Sequence, residues 1–155
     1  MSGLYAKRTT VTAQKTAGDI LTLLRGRGVT KTAMYEDERS AQIAFEMDGA
    51  AFRIALPLPD PNQKDFHYHS RGVRTQTESL RLYDAELNRR WRALFMVIKA
   101  KIVAVEEGIS TMQAEFVGNV VLGDGRTVSE TYAPQLGQLS ALGQIKALEL
   151  PGGST

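Results

Sequence analysis

The chain has no cysteine. That excludes a disulfide framework, thiolate zinc and iron–sulfur sites, and a cysteine nucleophile. Histidine is nearly absent as well. His67 and His69, two residues apart, could chelate a metal with Asp65 alternating as a third ligand on an extended segment. No second cluster of ligands stands elsewhere in the sequence, so no metal site is assigned. No apolar run approaches the ~20 residues of a membrane span, and the stretch from Met1 to Arg8 has no apolar core behind its charges. The expectation is therefore no membrane partner and a cytoplasmic location. Catalytic signatures are missing too: there is no Gly-x-Ser-x-Gly elbow and no phosphate loop, and Gly26-Arg27-Gly28 is too short to cradle a nucleotide. The adjacent acids Glu36-Asp37-Glu38 and Glu106-Glu107 fall in a hairpin turn and at a helix end, where solvated carboxylates are expected. No enzyme activity, catalytic residue or cofactor is assigned.

What is present describes one domain. The 155 residues, with 43% hydrophobic and 23% charged side chains, suit a single core over residues 1–150, with Pro151-Gly152-Gly153-Ser154-Thr155 as a flexible tail. The net charge of +2 conceals an alternation. Residues 1–31 hold six basic side chains against one acid and residues 64–101 hold nine against four, while residues 32–63 and 102–155 each hold six acids against two bases. Local fields of this kind, more than the sum, steer charged partners.

The periodicities predict an α+β fold: an N-terminal strand and helix, a three-stranded antiparallel meander, a long amphipathic basic helix and short C-terminal helices. Residues 5–11 are rich in strand formers. Thr16 with Asp19 forms a capping box for a helix carrying Ile20, Leu23 and Leu24, which Gly26 and Gly28 end. Strands follow at 29–35, 40–47 and 51–57. Ala41, Ile43, Phe45 and Met47 alternate with polar or small residues, Asp48-Gly49 makes a hairpin turn, and Phe52, Ile54 and Leu56 repeat the alternation. Pro57, Pro59 and Pro61 stop the sheet and open a loop of about 15 residues, longer than most in compact domains.

From Thr77 to Glu107 the helical period is sustained by Leu80, Tyr83, Leu87, Trp91, Leu94, Ile98, Ile102 and Val105. Phe95, Val97 and Val103 widen the apolar arc, so the second half should be buried on more than one side. Trp91 belongs to the core, with its indole N–H expected to reach a partner near the surface. After Gly108, Ser110 and Gln113 cap a short helix bearing Met112 and Phe116. Gly123-Asp124-Gly125 is a turn, and a weaker helix from Thr127 to Gly137 is interrupted by Pro134. Leu136, Leu139, Leu142, Ile145 and Leu148 suggest further helical packing.

Two surfaces could carry function. Arg81, Arg89, Arg92, Lys99 and Lys101 line the long helix, with Arg81, Arg92 and Lys99 on a common stripe, and such spacing could follow a phosphate backbone. Equally, Glu78 with Arg81 and Glu86 with Arg89 or Arg90 sit at spacings that merely support a solvated helix. In the preceding loop, Lys64, Arg71 and Arg74 surround Phe66 and Tyr68, an arrangement suited to stacking unpaired bases. Phe66 or Tyr68 could instead pin the loop to the core.

Four stretches, Lys15-Thr16-Ala17-Gly18-Asp19-Ile20, Ala55-Leu56-Pro57-Leu58-Pro59, Arg90-Trp91-Arg92-Ala93-Leu94 running into Val97-Ile98-Lys99-Ala100-Lys101, and Asp124-Gly125-Arg126-Thr127-Val128, resemble a group of small phage and prophage proteins. The likeness covers most of the chain and implies a mobile-element setting without carrying over any functional residue. In outline, a helix, a meander and a long basic helix is also similar to the core of the ring-forming single-strand annealing proteins that phages encode. The expectation is a phage-type nucleic-acid-binding protein, single-stranded DNA favoured, acting in annealing, recombination or replication as a homo-oligomer. The rival expectation is an interaction module whose basic surface docks on an acidic protein.

Overall fold

The computed structural model describes residues 11–148. Helix α1 spans Val11–Leu24, and Ala13, Ala17, Ile20 and Leu24 are its buried stripe. Because that stripe begins before Thr16, the helix does too. Thr16 is not its cap but an interior residue whose hydroxyl donates to the Thr12 carbonyl at 3.0 Å. The expected strand over 5–11 lies outside the described residues except for Val11, the first residue of α1.

Gly26 and Gly28, both at positive φ, carry the chain from α1 into the sheet. Strands β1 (Val29–Glu36), β2 (Ser40–Met47) and β3 (Ala50–Pro57) form the antiparallel meander in the order β1-β2-β3, matching the predicted strands to within a residue at each end. The β2–β3 turn is Asp48-Gly49, with φ of 53° and 77°. Positive values at both central residues are what a two-residue hairpin requires, and they match the twist of its strands. The resulting register sets Ile43 opposite Ile54 and Phe45 opposite Phe52 on one face. The Phe45 and Phe52 rings stack at 4.8 Å between centroids.

The loop after Pro57 is more ordered than its length suggested. It contains a helical turn, α2 (Lys64–His67), and a minimal hairpin of β4 (Tyr68–His69) and β5 (Gly72–Val73). Phe66 is the pin: it is buried and meets the Tyr83 ring edge-on at 5.8 Å, whereas Tyr68 points to solvent.

Helix α3 (Gln76–Glu106) organises the core. Thr75 caps it by accepting from the Glu78 amide, and Tyr83, Leu87, Trp91, Ile98 and Ile102 are buried. An ion pair between Arg27 and Glu106 ties the end of α1 to the end of α3. Trp91 is fully buried, as its place in the period predicted. Its indole N–H, however, finds no hydrogen-bond partner among the described residues, contrary to expectation.

The expected second buried side of α3 forms only in part, at Phe95, which packs half-buried against the core. Met96, Val97 and Val103 are 63%, 53% and 44% exposed. Past Gly108 the chain turns back to the sheet instead of crossing the outer face of the helix. In α4 (Met112–Phe116), capped by Thr111 in place of Ser110, Phe116 is buried edge-on to Phe45 at 5.4 Å. Val120 then bridges to Phe52, and the Val121 amide donates to the Ala51 carbonyl at 2.8 Å, which covers the β3 edge.

A capping box of Thr127 and Glu130 opens α5 (Val128–Tyr132), and Glu130 pairs with Arg53 of β3 at 2.9 Å. A 3-10 turn containing Pro134 leads into α6 (Leu136–Ala141). The packing expected of the last leucines is not formed: Leu136, Leu142, Ile145 and Leu148 face solvent. Pro134, Gly137 and Gly143 interrupt the helical path, so these side chains never align along one extended face.

Candidate nucleic-acid interface

The nine basic and aromatic residues singled out by sequence fall into two groups, those held by internal partners and those facing water. On α3, Arg89 is held. Its Nε and one Nη donate to both Glu86 oxygens at 2.8 and 2.7 Å. Arg90 donates to the same carboxylate at 3.0 Å and to the Pro57 carbonyl at 2.9 Å, anchoring the helix to the end of β3. The Arg89 guanidinium, and then that of Arg90, outweigh partial burial and hold the Glu86 carboxyl down at about 2. Arg89 is raised in turn, chiefly by its hydrogen bonds to Glu86. Glu86 and Arg89 therefore stay ionised through any ordinary assay pH.

Lys101 is likewise engaged, donating to the Glu115 carbonyl at 2.7 Å with the Glu115 carboxylate at 3.5 Å and its ammonium near the Phe116 ring. It serves the junction of α3 with α4 and is withdrawn from the candidate surface. Arg74 reaches the Asp65 carbonyl and the Glu78 carboxylate, and Arg81 approaches the same carboxylate at 3.9 Å. Glu78 therefore links the α2–β5 segment to the head of the Arg81 stripe.

The remaining cations are differently placed. Neither Arg92 nor Lys99 has an acidic partner among the described residues, and Lys99 lies over the Phe95 ring at 5.8 Å. Arg81, Arg92 and Lys99 sit about 80 to 100° round the helix axis from buried Trp91, separated by about 16 Å and about 10 Å along it. Lys64, Tyr68 and Arg71 are exposed on α2 and the small hairpin, with Tyr68 55% accessible. The structure thus keeps a three-cation stripe and an exposed basic-aromatic hairpin, and removes Arg74, Arg89 and Lys101 as freely available charges.

The histidines are occupied. His67 Nε2 is 2.7 Å from the Pro61 carbonyl, and His69 Nδ1 accepts from the Arg71 amide at 3.0 Å. Among the described residues no three His, Asp or Glu side chains form a metal-binding group, and no helix is long and apolar enough to cross a membrane.

The residues that sequence reasoning underweighted are Glu78, Glu86 and Glu115, which determine the arginines and lysines left over. For Glu78 and Glu86 the signal was there in the three- and four-residue spacing. For Glu115 it was not, because its approach to Lys101 depends on the turn after Gly108. No family model, curated protein or solved structure matches the chain.

Proposed function

We propose that this chain is a phage-type nucleic-acid-binding protein that holds single-stranded DNA in annealing, recombination or replication. The observation carrying this reading is the Arg81–Arg92–Lys99 stripe, in which Arg92 and Lys99 have no acidic partner among the described residues, although Glu78 approaches Arg81 and Glu86 and Glu115 neutralise their neighbours. Unneutralised cations about two helical turns apart are suited to phosphates, where each contact releases a counterion. The exposed Tyr68 ring beside Lys64 and Arg71 offers stacking to an unpaired base. Replacing Arg81, Arg92 and Lys99 together by glutamine should weaken binding to a labelled oligonucleotide at low salt and flatten its salt dependence. Unchanged binding refutes the surface.

One observation favours a second reading, an interaction module docking on a host or phage protein. Tyr132, Leu136, Leu142 and Leu148 present apolar surface to solvent among the described residues. Affinity capture after nuclease treatment separates the two: an association mediated by nucleic acid disappears, and a direct one persists.

A further inference from the structure

The outer face of α3 is apolar where a solitary helix would be polar. Ala93, Met96, Ala100 and Val103 are all exposed and recur at steps of three, four and three, the spacing of a coiled-coil seam. Val97 widens the strip. The seam ends in opposite charges, Arg89 on the N-terminal side and exposed Glu107, the residue that caps the helix, on the C-terminal side.

We infer that this face binds a second copy of the chain, α3 against α3 in antiparallel, about a two-fold axis level with Ile98. The seam is complementary to itself in that orientation alone. Antiparallel pairing centred on Ile98 sets Ala93 opposite Val103 and Met96 opposite Ala100, so each small side chain receives a large one, and the operation repeats every contact twice. It also brings Arg89 of each copy to Glu107 of the other. A parallel pairing would stack alanine on alanine and methionine on methionine, and would leave Arg89 facing Arg89. The bond of Arg89 to Glu86 leaves its remaining nitrogen for the partner's carboxylate. Lys99 lies near its own symmetry mate, and its position over the Phe95 ring holds the ammonium back on its own helix. The Arg92 and Lys99 lines of both copies then fall on one rim of the seam. The dimer is argued from the seam and does not depend on nucleic acid.

The absence of cysteine makes the geometry directly testable. In the antiparallel dimer, residue 93 faces residue 103 of the second copy and stands about 15 Å along the axis from residue 93 of that copy, too far for a disulfide. Ala93→Cys with Val103→Cys should crosslink under mild oxidation into covalent dimers, whereas Ala93→Cys alone should not. Crosslinking by the single variant as readily as by the double overturns the orientation. In solution the full chain should have twice its 17.0 kDa mass, and Met96→Glu, at a solvent-facing site that leaves the fold intact by circular dichroism, should make it monomeric. A monomeric wild type, or a dimer indifferent to Met96→Glu, overturns the proposal. Arg89→Glu and Glu107→Arg should each weaken self-association about fivefold or more by placing like charges together, and the double variant should recover it. Additive loss in the double variant contradicts the charge pairing.

Discussion

Replacing Glu86 by glutamine should move stability and oligonucleotide binding in opposite directions. The Glu86 carboxylate accepts three hydrogen bonds, two from Arg89 and one from Arg90. The Glu86 side chain is 24% exposed, Arg90's 30% and Arg89's 69%, so the Arg89 contacts count at the low rate of surface pairs and the Arg90 contact counts for more. The gap between an ordinary carboxyl of 4.5 and about 2 in the fold, at about 1.36 kcal/mol per pH unit, caps the contribution at roughly 3.4 kcal/mol. Water around Arg89 screens this to about 1 to 2 kcal/mol. The folded-state value is depressed, so the stabilisation is fully present above about 4.5 and fades as pH falls toward 2. Urea titrations at pH 7 should therefore show Glu86→Gln less stable by about 1 to 2 kcal/mol, with the two proteins converging near pH 2. On the binding side, the substitution releases Arg89 beside the Arg92 stripe. One added phosphate contact should steepen the dependence of log K on log salt by about 0.7 for a single strand. Loss of stability at pH 7 with weaker binding at low salt, or no loss of stability at any pH, would refute the reasoning.

Other expectations follow from packing. Phe116→Ala removes a fully buried ring lying edge-on to Phe45 and should cost about 3 to 5 kcal/mol in a urea titration. Trp91→Ala should cost a similar amount, but Trp91→Phe should cost less than about 2 kcal/mol, because it also deletes a buried N–H with no partner among the described residues. A larger loss in the phenylalanine variant would mean that the indole nitrogen is satisfied in solution. Thr127→Ala removes the hydroxyl that accepts from the Glu130 amide while leaving the backbone half of the capping box in place, and should cost about 1 kcal/mol of stability in a urea titration. Arg74→Gln and Lys101→Gln should change oligonucleotide affinity much less than Arg92→Gln does, since the first two side chains are held by Glu78 and Glu115.

The elements most legible in the sequence were those written in a period. Alternation from Ala41 to Met47 and the Asp48-Gly49 turn specify the β2–β3 hairpin with its register, because slipping one residue would turn the whole apolar set to solvent. The series from Leu80 to Val105 similarly located α3 and placed Trp91 inside. Amphipathic period does not report what tertiary packing leaves uncovered. Val97 and Val103 looked like core because they are valine, and they face water because α4 returns to Phe45 instead of crossing the helix. Likewise Thr16 has the composition of a cap, and only Ala13 on the buried stripe shows the helix starting earlier. At the candidate site, charge counting found the basic segment and spacing found two of its acidic partners. The capture of Lys101 by Glu115 is a contact across a turn that no local pattern encodes.

The central claim is tested most directly by fluorescence anisotropy of a labelled single-stranded oligonucleotide titrated with wild-type protein and with the Arg81→Gln, Arg92→Gln, Lys99→Gln variant over a series of salt concentrations. The account predicts saturable wild-type binding whose log K falls with log salt more steeply than the variant's by about 2, three contacts at about 0.7 each. Superimposable salt dependences, or no wild-type binding at the lowest salt, would contradict it.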